Sequence, residues 1–306
     1  MKVRFCLVVL LCAIPACAQT RSVALTFDDL PAAGTTDAST IKSINQRILS
    51  ALRRHNAPAI GFVNTSKLPA QGPSGVDASV LEDWLRQGLS LGNHTFSHAD
   101  LNLSSPEAFE KEILAGEQPL TSLLAKDGKR LEYFRFPFNH TGDTKEKHDA
   151  IAAFLAQHGY RVAPCTIDNS DFVFNRVYVI ALSRHDEETL VRIRSEYLAY
   201  TALEIDYYSQ LHSKVLGHEL PHVMLLHVDQ LNADVMEEIL KLFESKNYRF
   251  VTLDSALSDP AYSIPDTAIA KGGLMWGYRW ARERNVKVDG SAEREPPAWI
   301  SSYPPN

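Results

Sequence analysis

Apolar runs of strand length alternate with stretches of helical period along most of this chain. That alternation confines it to an α/β fold with a mainly parallel sheet, open or closed into a barrel. Residues 22–27, 59–63, 133–137, 161–167, 223–228 and 249–253 read as strands, and the run 223–228 is nearly all apolar, as in a strand buried on both faces. Helices are predicted at 41–54, stopped by Asn56-Ala57-Pro58, and at 80–87, after which 88–93 leads into a histidine motif. Ser105 and Pro106 mark the start of a helix reaching Ala125, with Ser at the N-cap and Pro in the first turn. Further helices are predicted at 145–158, closed by Gly159, and at 233–245.

Ionisable residues gather at or just after the predicted strand ends: Asp28, Asp29, His94, Arg135, Asp168 and His227. In a parallel barrel those ends share one face, where active sites assemble. The most telling group is Asn93-His94-Thr95-Phe96-Ser97-His98 together with Asp28-Asp29. Two imidazoles and one carboxylate form a common shell for a catalytic divalent metal. A second, unbound carboxylate beside it takes a proton from metal-bound water. The residues therefore point to a metal-dependent hydrolase. Taken singly, an Asp pair after a strand is also a turn or helix cap, and a His-x3-His pair is also a solvated or core-edge pair.

The 306 residues, 45% of them hydrophobic, are enough for one large α/β domain or two small ones. Residues 1–18 read as a signal peptide, with Lys2 and Arg4 before an apolar stretch and Ala16-Cys17-Ala18 as the cleavage site. The apolar stretch is too short to span a bilayer. A periplasmic or secreted protein is expected; lipoprotein anchoring through Cys17 is the alternative. Of the four cysteines only Cys165 lies beyond this leader, so no internal disulfide is expected, and Cys165 itself reads as a small buried hydrophobe. The net charge of −6 becomes about −8 without Lys2 and Arg4, and no basic cluster with interleaved aromatics appears, which argues against nucleic acid as a partner.

Residues 172–221 form an unusually long, largely helical connection, helical from about 186 to 212. It reads as a helix packed on the barrel wall, with a substrate lid as the alternative. The C-terminal extension, 260–306, is rich in Pro, Gly and aromatics. Trp276 and Trp280 share a helix face there, packing on the core or offering a surface for sugar rings; residues from Pro296 onward read as a loose end.

Five segments in order resemble the polysaccharide deacetylase family of metal-dependent carbohydrate esterases. They are Thr26-Phe27-Asp28-Asp29, His94-Thr95-Phe96-Ser97-His98, Arg135-Phe136-Pro137, Asp168-Asn169-Ser170-Asp171-Phe172 and Leu225-Leu226-His227. The resemblance spans roughly residues 23–253, within a catalytic domain placed at 19–259. It implies a distorted (β/α) barrel with fewer than eight regular units. It also implies that Asp29, His94 and His98 hold a divalent metal, Zn²⁺ first, with Co²⁺ or Ni²⁺ as alternatives. Asp28 would be the general base, kept ionised by Arg135 as a bidentate partner, and Thr95 would buttress the histidine loop. His227 would be the general acid, its pKa raised by Asp168 or Asp171. The backbone N–H of Phe138 would stabilise the oxyanion, Leu225 would line the acetyl pocket and Phe172 the sugar-stacking wall.

The implied activity is removal of acetyl groups from N-acetylated amino sugars or glycans. Alternatives are an O-acetyl esterase or non-sugar amidase on the same metal site, and a glycan-binding protein with a vestigial site. The family often has Tyr where this chain has Phe138 and Trp where it has Phe172, which puts polymeric chitin or peptidoglycan in doubt as substrate.

Overall fold

A computed structural model describes residues 21–68 and 78–304; the predicted signal peptide lies outside them. The elements follow the expected rhythm: β1 (Arg21–Leu30), α1 (Ala38–Arg54), β2 (Ala59–Val63), α2 (Ser79–Arg86), β3 (Ser90–Asn93), α3 (Pro106–Ala125), β4 (Tyr133–Phe134), α4 (Lys145–Gln157), β5 (Arg161–Val162), β6 (Ile167–Asp168), α5 (Asp171–Ser183), α6 (Glu187–Leu216), β7 (His222–His227), α7 (Gln230–Ser245), β8 (Tyr248–Phe250) and α8 (Leu253–Ala256), then α9 (Trp276–Glu283) and α10 (Ala298–Ser301). Helix starts lie where capping chemistry puts them. Asp37, Ser105, Thr144, Asp186 and Asp229 each accept a first-turn backbone N–H.

The strands run parallel in the order β5-β4-β3-β2-β1-β7-β6, and β8 pairs with the start of β1. The two ends of that ladder, β5 and β6, are consecutive in the chain and separated only by residues 163–166. The sheet is a half-barrel wrapped by helices, the distorted (β/α) barrel with fewer than eight regular units that the resemblance implied. Side chains alternate across β1: Ala24 joins Ile60, Phe62 and Val223 in an inner cluster, while Val23, Leu25 and Phe27 join the larger core with Ile44 and Trp84.

Three expectations are corrected. Residues 161–167 are not one strand: the ladder stops at Val162 and resumes at Ile167, because Pro164 offers no N–H and the chain crosses from one sheet edge to the other. The connection from 172 to 221 packs in the wall as expected but holds two helices rather than one, with Phe174, Val177, Ile193, Tyr197 and Ile205 fully buried. The described residues after Pro296, 297–304, are not loose. Ile300 is fully buried, Trp299 donates to Glu196 at 2.6 Å, and Arg192 stacks 3.9 Å from the Trp299 ring centre. Trp276 and Trp280 are both buried on α9, as core packing predicts.

Candidate metal centre and active site

The carboxyl ends of β1, β3 and β7 meet at one rim of the sheet. Asp28 stands opposite His227 in the β1–β7 register, and β3 ends one residue before His94. Asp29, Thr95 and His98 have φ of 68°, 67° and 62°, a left-handed conformation that side chains other than Gly adopt only under constraint. The constraint is visible. Asn93 Oδ1 accepts from the Thr95 N–H at 2.9 Å, while its Nδ2 donates to Ile113 O and the Tyr160 hydroxyl, each at 2.9 Å. Asn64 donates to His94 O at 2.6 Å, and Thr95 Oγ1 accepts from Ala99 N–H at 3.2 Å. The His-x3-His spacing works through a strained loop, not along one face of a helix.

Donor atoms of Asp29, His94 and His98 lie within 4.8 Å of one another. His94 Nδ1 meets the Arg135 carbonyl at 2.8 Å, so Nδ1 carries the proton and Nε2 is left as the ligand atom. Burial holds the imidazoles of His94 and His98 down to about 4, and the neighbouring histidine pushes the same way at His98. Both rings are therefore neutral at pH 7, the form that binds a metal. Burial would push the Asp29 carboxyl up, but Lys67 at 2.9 Å and the surrounding histidines hold it well below the usual carboxylate range. A two-nitrogen, one-carboxylate set of this kind fits a divalent metal with open positions. Nothing in the sequence pointed to Lys67, which comes from a turn after β2.

Asp28 sits behind the triad and is 4% exposed; its Oδ1 is buried without a partner. Its other oxygen faces Arg135 Nη1 at 3.6 Å and His94 Nε2 at 3.7 Å. The bidentate Asp28–Arg135 pair is corrected: Arg135 gives Nη2 to Thr26 Oγ1 at 2.9 Å and to Pro164 O at 3.3 Å, and Nη1 to the Cys165 sulfur. One distant contact does not offset burial, so the Asp28 carboxyl is raised above its ordinary range. Cys165 is buried as expected but also polar in role, donating to Asn139 Oδ1 at 3.0 Å, and burial pushes its thiol up to about 12.

His227 is the other titratable group at the rim. Its partner is Asp171: His227 Nδ1 meets Oδ1 at 2.6 Å, while Oδ2 accepts the His227 backbone N–H at 2.7 Å and Asn232 Nδ2 at 2.6 Å. Burial alone would lower the imidazole pKa, but Asp171, with Asp29 and Asp28 beyond it, raises it well above the ordinary value. Asp168 turns away to accept the Ser170 N–H at 2.8 Å, and burial pushes its carboxyl up to about 6. Leu225, two residues before His227 on β7, shares its face of the sheet and is buried. Phe138 and Phe172 are the exposed walls, 54% and 57% accessible. Their rings lie 4.5 Å from His98 and 6.1 Å from His227.

Residues 16–163 match the sequence model of the polysaccharide deacetylase family. That segment, a little under half of the chain, is similar to a polysaccharide deacetylase domain. A chitin deacetylase of Arthroderma benhamiae is 28% identical over 156 residues, 51% of this chain and 36% of that protein. A chitin deacetylase of Pestalotiopsis sp is 27% identical over 247 residues, 80% of this chain and 67% of that protein. The peptidoglycan-N-acetylglucosamine deacetylase of Bacillus cereus is 22% identical over 242 residues, 76% of this chain and 67% of that protein. The chain thus spans about a third of the first of these relatives. Among solved structures, a Bacillus cereus polysaccharide deacetylase superposes with a TM-score of 0.52 at 18% identity, covering 76% of this chain and 91% of that one. A family 4 carbohydrate esterase pseudoenzyme from Bacillus anthracis superposes with a TM-score of 0.50 at 12% identity, covering 78% and 66%. The likeness to both shows that the polysaccharide deacetylase fold is shared; activity has to be argued from the site.

Proposed function

We propose that this protein is an exported, metal-dependent hydrolase that removes acetyl groups from N-acetylated amino sugars or glycans. One observation carries the reading: a metal-suited triad, a buried carboxylate with an unpartnered oxygen and a carboxylate-backed imidazole converge on one rim of the sheet. Chitin and peptidoglycan deacetylases among the relatives supply the substrate class. The leader at residues 1–18 supports export to the periplasm or beyond.

Asp29, His94 and His98 would hold the metal, Zn²⁺ being the first choice for this donor set. When bound, it supplies a Lewis acid for an acetyl oxygen and an acidified water. Asp28 receives the proton of the attacking water on Oδ1, the oxygen with no protein partner. Its raised pKa makes it a stronger base once ionised, and Arg135 keeps a positive charge 3.6 Å from the other oxygen. His227 donates its proton to the departing amine. Asp171 fixes the ring so that Nδ1 faces the carboxylate and Nε2 faces the substrate, and it favours the imidazolium needed for that donation. Leu225 shapes the acetyl pocket, the Phe138 backbone N–H serves the oxyanion, and the exposed rings of Phe138 and Phe172 flank the sugar.

The test is acetate release from N-acetylglucosamine oligomers by the metal-loaded protein and by Asp28→Asn, with metal content measured on both. Release by the wild type and its loss in a variant that still binds metal supports the reading. Metal binding without release from these oligomers, but with release from O-acetylated xylan, would replace it with an esterase.

A further inference from the structure

Every crossover in this barrel carries a helix except the one from β5 to β6, which is only residues 163–166. The outer layer is therefore one helix short beside α4, and segments of the chain after α8 cover the gap instead. Beneath them lies a cleft of about 420 Å³, within the range of small-molecule sites. None of the metal-centre residues lines it. Its apolar lining includes Phe136, Tyr262 and Trp276, of which Phe136 and Trp276 are 5% and 8% exposed. Its charged lining is His148, Arg161 and Asp266.

Each of those charges is already answered by the protein. Asp266 Oδ2 accepts from Arg279 Nη1 at 2.6 Å and stands 3.7 Å from His148 Nε2. His148 Nδ1 meets Asp149 at 3.1 Å, and Arg161 Nη1 meets Asp254 at 2.5 Å and the Tyr133 hydroxyl at 2.9 Å. An ionic ligand would find no uncompensated charge here. The paired groups retain hydrogen-bonding capacity, because a guanidinium has five N–H donors and a carboxylate about four acceptor sites. Aromatic surface beside satisfied ionic groups suits a neutral ring with apolar faces and a rim of hydroxyls.

We infer that this cleft is a second, non-catalytic binding site for a neutral hexose-type sugar. It is separate from the metal centre and stands whether or not that centre hydrolyses an acetyl group.

The experiment follows the four indole N–H resonances of the folded chain, from Trp84, Trp276, Trp280 and Trp299, during titration with glucose, which has no acetyl group to remove. Benzoate and benzylamine serve as charged-ring probes, and Trp276→Phe assigns its resonance. The Trp276 signal is expected to move saturably at millimolar glucose while the Trp84 signal stays still. Ala152→Leu, at an exposed position of α4 on the cleft edge, is expected to weaken binding about tenfold, a change of about 1.4 kcal/mol, with an unchanged circular dichroism spectrum. Arg161→Gln should weaken it without blocking the space. No saturable movement at Trp276, movement indifferent to Ala152→Leu, or tighter binding of either charged probe than of glucose would each overturn the inference.

Discussion

At the scale of single residues the site is an arrangement of opposed charges at a partly buried rim, and two predictions belong there. The first concerns Asp171. Its carboxylate holds the His227 imidazolium against the cost of burial. A group whose folded-state pKa is raised stays protonated until the pH passes that value, so the acid form should persist into alkaline pH. Asp171→Asn should move the alkaline fall of kcat/KM to lower pH and cut the rate in the range of 10²–10⁴-fold ascribed to general acid catalysis. A profile with its alkaline limb unmoved would remove His227 from the role of acid. The second concerns Lys67, whose ammonium lies 2.9 Å from Asp29. A cation beside a ligand carboxylate opposes a second cation, so Lys67→Met should tighten metal binding, measured by competition with a chromophoric chelator. Weaker binding in the variant would show that the lysine instead orients the carboxylate.

At the scale of elements, the loop between β3 and α3 depends on what lies beneath it. Gly116 of α3 is buried under that loop, and a methyl group there would fall 2.6 Å from Asn93 Oδ1 and 2.9 Å from the Thr95 carbonyl carbon. Helix propensity favours Ala over Gly by about 1 kcal/mol, while forced overpacking costs about 1–3 kcal/mol. The contacts are with backbone and a fully buried Asn, so packing wins. Gly116→Ala should lower stability in urea and weaken metal binding together. Greater stability with unchanged metal affinity would show that the loop yields freely. Asn64→Ala should act on the same loop, since it strands the His94 carbonyl that Asn64 now holds at 2.6 Å, at a cost of about 1–3 kcal/mol.

At the scale of the whole molecule, the chain after α8 is an integral part of the fold. Arg279, 2% exposed, ties Thr141, Asp266, the Asn139 carbonyl and the Leu274 carbonyl together. Trp280 and Ile300 are buried against the main core. Truncation after residue 259 should therefore give a protein that fails to unfold cooperatively, judged by circular dichroism and calorimetry, rather than a compact catalytic core. A cooperative truncated form would set the domain boundary at 259. Metal removal should act on the whole fold as well. A ligand bound only to the native state at about 100 times its Kd adds about 2.7 kcal/mol, so chelation should lower Tm and metal addition restore it.

The parallel α/β architecture was legible because period and capping are local properties. Ser105 and Pro106 announce α3 in the sequence, and the apolar run of β7 announces a strand buried on both faces. The residue types of the candidate site were legible too, as imidazole and carboxylate side chains at or shortly after strand ends, and the structure brings them to one rim. Tertiary structure alone decided who meets whom. Asp168 and Asp171 are the same side chain three residues apart, and only the start of α5 against β7 gives Asp171 to His227 and turns Asp168 to Ser170. Arg135 looked like a two-pronged partner for Asp28, but three other acceptors from β1 and the β5–β6 link share its guanidinium. Lys67, the cleft beside α4 and the burial of α10 depend on segments far apart in the chain. Periodicity and motif spacing are read within one segment, whereas charge pairing, desolvation and assembly of the half-barrel arise only when distant segments pack.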